Sequence, residues 1–247
     1  MNNLIRSELL KLRTVRLPLI AVAAVAIAGA LTAIAIITTA GHAGNPRLDR
    51  HSLPQLVHGP FAVVAGVALL LGILGTAGEF RHQTITSTLL ATPRRGRLLT
   101  AKILVHAGLG AALAAVACAV NLAISIPWLS SENVPLAGAA DVGPVLVGVV
   151  AAAALFGAAG AGLGALVAHQ TAAVTVSLVW LLAVEGLIVS ITSTPTLHHW
   201  LPGGALGVIA HGTGAHTPLW AAAGSAVAYA GALIAAGTQR LTSRDVT

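Results

Sequence analysis

The sequence predicts an all-α polytopic membrane protein with six transmembrane helices, and three observations carry that prediction. Apolar residues make up 56% of the 247 and charged residues only 8%, against roughly 25% charged in a soluble domain. The mean hydropathy is +0.89. The apolar residues also fall in six separate runs, each near the roughly 20 residues that cross a bilayer as a helix. A chain so poor in charge cannot solvate a globular surface, which excludes a soluble enzyme or binding module.

Residues 1–16 come first. Ile5, Leu9 and Leu12 share one helical face, and Arg6, Lys11 and Arg13 lie elsewhere on the wheel. That pattern predicts an amphipathic helix in the headgroup region; the plainer reading is a basic tail that only fixes orientation. The first span is 17–38, with Pro18 in its opening turn, where a missing N–H costs nothing. It is too long for a signal-peptide core and shows no cleavage site, so no cleavable leader is expected. A loop rich in Gly, Asn and Pro follows over 41–58, and the second span is 60–78.

Residues 79–102, EFRHQTITSTLLATPRRGRLLTAK, form the main polar segment, holding six of the chain's twenty charged side chains. Ile85, Leu89 and Leu90 recur at helical spacing until Pro93, which predicts a short helix over Thr84–Thr92 lying along the membrane. Arg94, Arg95 and Arg97 follow as a basic cluster, suited either to anionic lipid or to a soluble partner.

The third span, 103–127, carries His106, Asn121 and Ser125, so one side of it should face protein. Cys118 stands alone and reads as a small core residue. The fourth span, 144–167, contains Gly157, Gly160 and Gly164, a small-residue stripe that lets helices approach closely where lipid supplies no hydrophobic drive. The fifth, 172–191, contains Glu185, which should face protein or water because a mid-bilayer charge costs about 2.5–3.5 kcal/mol on insertion scales. His106 and Asn121 are its candidate partners by depth. It reads first as a structural contact and second as a substrate or gating contact. The loop 192–217 has four His at spacings that match no zinc pattern, so no metal site is expected. Its apolar 205–210 is a candidate re-entrant piece. The sixth span is 218–236. The whole chain thus reads as one transmembrane domain, 1–247.

Orientation follows from the basic residues. Both termini on the cytoplasmic side place eleven of the thirteen Lys and Arg inside, leaving only Arg47 and Arg50 outside. The net charge of +6 is therefore read as a topology signal, with no nucleic-acid partner expected. The chain has no GxxxxGK[ST] phosphate loop, no HExxH and no paired intramembrane carboxylates, which argues against ATP binding of that kind and against a membrane enzyme.

The pattern Glu79-x-Arg81-x-x-Thr84-Ile85, then Leu89, Pro93, Arg95 and Lys102, resembles the cytoplasmic signature of ABC-2-type transporter permeases. SELLKLRT at Ser7–Thr14 and Glu185 followed by LPGGA at Leu201–Ala205 resemble that family too. The resemblance implies the membrane subunit of an exporter in the bacterial cytoplasmic membrane, working as a dimer, expected as a homodimer, with two separate ATP-binding subunits. Those partners, not this chain, would hold ATP and Mg. It also implies that Thr84–Thr92 is a coupling helix seated in the ATPase, with Glu79 and Arg81 bracing its junction with the second span and Arg94 and Arg95 among the ATPase-coupling residues. The substrate class would be amphipathic or lipid-like: a drug, antibiotic or peptide. The competing expectation is an ATP-independent secondary transporter or channel working through Glu185.

Overall fold

The computed structural model describes residues 1–42, 45, 47–49, 52–84, 95–134, 139–192, 195–211 and 218–243, which are mostly helical with no strand among them. The helices are α1 (Asn2–Thr14), α2 (Leu17–Thr39), α3 (Ser52–His58), α4 (Phe61–Arg81), α5 (Arg95–Ser131) and α6 (Ala139–Val167). They are followed by α7 (Gln170–Val179), α8 (Glu185–Thr192), α9 (Pro195–His198), α10 (Pro202–His211) and α11 (Leu219–Ser243). Between α7 and α8 lies one π-helical turn, Trp180–Val184. Among the described residues, six helical stretches are long and apolar enough to cross a membrane, so this is a multi-pass membrane protein. The fifth of them is α7, the π turn and α8 read as one.

Three features differ from the sequence expectation. The loop expected over 41–58 ends in α3, whose Leu53 and Leu56 are buried against Ile37 of α2 and Leu129 of α5. The loop expected over 192–217 contains α9 and α10, the latter packed on α6. The third span is much longer than 103–127: α5 has 37 residues, about 55 Å at ~1.5 Å per residue. That is nearly twice a hydrocarbon core of ~30 Å, so its first turns extend beyond the apolar layer. The expected coupling helix falls almost wholly outside the described residues: Ile85, Leu89, Pro93 and Arg94 are among those not described, and Thr84 lies just beyond the end of α4.

α6 is the hub, packing on α4, α5, α10 and α11. Its glycines explain how. A Cβ on Gly157 would run into the carbonyl of His106 on α5, and one on Gly160 into the carbonyl of Leu69 on α4. One on Gly164 would meet the carbonyl of Ile73. Backbone therefore packs on backbone along both faces, the close approach that small residues permit in a bilayer. Asn121 joins α5 to α2 instead: its Nδ2 donates to the carbonyl of Gly29 at 3.1 Å and lies 3.4 Å from Thr32 Oγ1. Ser125 donates to its Oδ1 at 3.2 Å.

The bundle has two distinct ends. At one end, α1 meets α4 and α5, Arg95 donates to the carbonyl of Leu241 at 3.0 Å, and Arg240 donates to that of Leu166. At the other end lie α3, α9, α10 and the close of α5. Among the described basic residues, Arg47 alone sits at this second end.

Candidate functional site

The basic end is built around four charges from three helices. On α1, Leu4, Ile5 and Leu12 are half-buried, and the fully buried residue at the centre of that face is Glu8. The apolar face is thus rotated from the one expected, and Leu9 is exposed. On α5, Leu98, Leu99, Lys102, Val105 and His106 are all buried, one continuous stripe at helical spacing with a lysine in its middle. On α4, Glu79 closes the last turn.

Lys102 is 2% exposed, and its ammonium lies 2.9 Å from Glu8 Oε2 and 2.6 Å from Glu79 Oε1. It also donates to the carbonyl of Gly75 at 3.3 Å. Lys11, half-exposed on α1, closes the ring, with its ammonium 2.7 Å from both Glu8 Oε1 and Glu79 Oε1. Two carboxylates and two ammoniums make a neutral set, which is the form in which buried charge is tolerated. Burial alone would raise the Glu8 carboxyl, but the Lys102 ammonium and the hydrogen bonds from Lys11 and Lys102 outweigh it and hold the group below its ordinary value. Burial alone would lower Lys11; its hydrogen bonds to Glu79 and Glu8 raise it instead.

His106 stacks one turn below Lys102, with Nδ1 2.7 Å from the Lys102 carbonyl. Its ring fills the space that a Cβ on Gly75 would need, so that glycine lets α4 and α5 close over the cluster. His106 Nε2 and Glu79 Oε2 are buried with no hydrogen-bond partner among the described residues. The ring therefore joins Glu8 and Lys11, on the N-terminal helix, to the two residues that bracket the polar segment: Glu79 before it and Lys102 after it.

Other expected site residues fall elsewhere. Arg81 points away from the cluster, with Nη1 3.3 Å from Gln170 Oε1 at the start of α7. Arg95 binds the end of α11 through Leu241. Neither His106 nor Asn121 reaches Glu185. That residue, 3% exposed, begins α8 just after the π turn. Widening the backbone to i→i+5 bonding sets Trp180 on its face, and the indole N–H donates to Glu185 Oε1 at 2.9 Å. The amide N–H of Gly203 donates to the same oxygen at 2.8 Å, so the carboxylate caps the N-terminus of α10, where helix amides lack internal partners. His198 Nδ1 lies 3.9 Å from the second oxygen.

Sequence reading missed Glu8, Lys11 and Lys102 as a unit. Part of the signal was present, because Lys102 interrupts an apolar stripe and Glu8 is the only acid in the first 16 residues. Compared with models of known protein families and with characterised proteins, the chain gives no match.

Proposed function

We propose that this chain is the permease subunit of an ATP-driven exporter of the ABC-2 type, working as a dimer with two separate ATP-binding subunits. The observation that supports it best is the four-charge ring. In such a machine, force from the ATPase must enter the membrane domain through the segment between the second and third spans. Here both ends of that segment, Glu79 and Lys102, are tied to one another and to α1. Displacement of residues 82–101 would therefore be delivered to α1, α4 and α5 together, and through the tight glycine contacts to α6.

On this reading the basic end faces the cytoplasm, as the positive-inside bias requires, and α1 lies in the headgroup region. Thr84–Thr92 is the coupling helix, and 205–210 is the re-entrant piece. The partner supplies ATP and Mg; this chain supplies the pathway for an amphipathic or lipid-like compound such as a drug, antibiotic or peptide. A proton-coupled or channel reading through Glu185 has less support, because its hydrogen bonds go to a neighbouring indole and a helix N-terminus.

The test is co-purification in nanodiscs with a candidate ATP-binding subunit. Wild type should retain the ATPase and stimulate its hydrolysis, and Leu89→Asp should release it. Failure of a well-folded wild type to bind any such subunit would refute the proposal.

A further inference from the structure

The fifth and sixth spans follow one another in sequence, yet α11 packs chiefly on α6 and α10 rather than on α7. The space left between them is a cavity of about 340 Å³, within the ~300–1,000 Å³ range of small-molecule sites. Its walls include Phe156, Trp180, Leu206, Ala226, Tyr229 and Leu233. Of these, Phe156, Leu206 and Ala226 are buried and form the inner wall. Val176, Trp180 and Tyr229 are exposed and mark a mouth on the side of the bundle.

Depth identifies the solvent at that mouth. Trp180 and Tyr229 lie near the middle of the candidate spans Gln170–Thr192 and Leu219–Leu241, and Phe156 near the middle of Val142–Val167. The cavity therefore opens sideways at the level of the hydrocarbon core. Water has little hold in so apolar a space, where the hydroxyl of Ser177 already donates to the Val174 carbonyl and a buried water needs two or more polar partners. One end is closed by Pro202 at the start of α10, and the Trp180 indole that lines the space also holds Glu185. The wall is thus fixed by the same contacts that set the π turn, a distortion found often at functional sites.

We infer that this cavity is a binding site for a single acyl chain, which enters from the bilayer between the fifth and sixth spans and packs against Trp180 and Phe156. The inference does not rest on the transport reading, because it concerns the isolated chain in a membrane. It adds to the protein a lipid-tail site lying wholly within one copy.

The test is photolabelling of the purified chain in nanodiscs doped with a phospholipid whose acyl chain carries a mid-chain diazirine, with labelled residues mapped by mass spectrometry. Label is expected on the buried Phe156, Leu206 and Ala226 as well as on the lipid-exposed Leu182 and Trp220. Ala159→Phe, which fills the cavity, should remove the first set and leave the second. Ala232→Phe, at an exposed position on the mouth, should do the same without touching the interior. Label confined to exposed residues, as would follow if a second copy covered the mouth, would overturn the inference. Inner-wall label unchanged in both variants would overturn it equally.

Discussion

At the end of the bundle that carries α1, Glu8, Lys11, Glu79 and Lys102 neutralise one another. At the opposite end, Glu185 takes two neutral N–H donors, from Trp180 and Gly203, with the His198 ring 3.9 Å away. The first arrangement binds three helices far apart in sequence and depends most on Lys102, since removing it leaves two carboxylates without their shared buried cation. The second is a helix cap made across a π turn, and its two donors, one indole and one main-chain amide, lie within 18 positions in sequence. The contrast separates a device that can transmit displacement between elements from one that fixes a corner.

Lys102→Ala should have the largest effect. It leaves Glu8 and Glu79 buried without their shared cation, a loss of about 3–5 kcal/mol for such pairs, seen as a steep fall in thermal stability in detergent. Neutralising Glu79 as well, in Glu79→Gln/Lys102→Met, should restore much of that loss. If the double variant is no better than the single one, the ring is not acting as a neutral set.

At the other end, Glu185→Ala leaves two part-buried N–H donors, of Trp180 and Gly203, without their acceptor, a loss toward the lower end of the ~1–3 kcal/mol for stranded donors. Glu185→Gln keeps an acceptor and should be milder, as read by the same unfolding measurement and by amide exchange at Gly203. Equal losses for Ala and Gln would show that the charge, rather than the cap, is what matters there.

Acid should loosen the ring in one direction only. Glu8 is held below its ordinary value of 4.5, so its contribution is complete above that pH and is lost as pH falls through the lower folded value. Lys11 is held above 10.5, so its share is complete below that pH and is lost only as pH rises through the higher folded value. A spin label at Ser7→Cys, in a Cys118→Ala background, should report α1 docked across the neutral range and released in strong acid. Release near pH 6 would contradict the pairing. The smallest effect belongs to Lys11→Ala, within about 1 kcal/mol because half-exposed pairs are screened.

The six spans were legible because long apolar runs have few other uses, and the glycine stripe because its spacing places three small residues on one face. The polar segment bracketed by Glu79 and Lys102 was also visible as the main polar interruption. The ring was not. Lys102 stands in its apolar stripe at helical spacing, but nothing in a sequence says that its partner lies 94 positions earlier, on a helix whose face is rotated from the expected one. The partners of Glu185 were missed for a different reason, its candidates by depth having been His106 and Asn121. Matching depth ignores backbone donors, and its real partners are a main-chain amide and a residue brought over it by a π turn that depends on packing. α3 and α9 were hidden by the Gly, Pro and His around them, which read as loop, whereas the apolar 205–210 within α10 did stand out in the sequence.

The most direct test of the central claim is ATP hydrolysis by the complex reconstituted with the ATP-binding subunit, comparing wild type with Glu79→Gln/Lys102→Met. This variant keeps the Glu8–Lys11 pair but unties α1 from the ends of the polar segment. The account predicts that the complex still assembles and that its hydrolysis falls to the rate of the ATPase alone. Full stimulated hydrolysis in the assembled variant would contradict it.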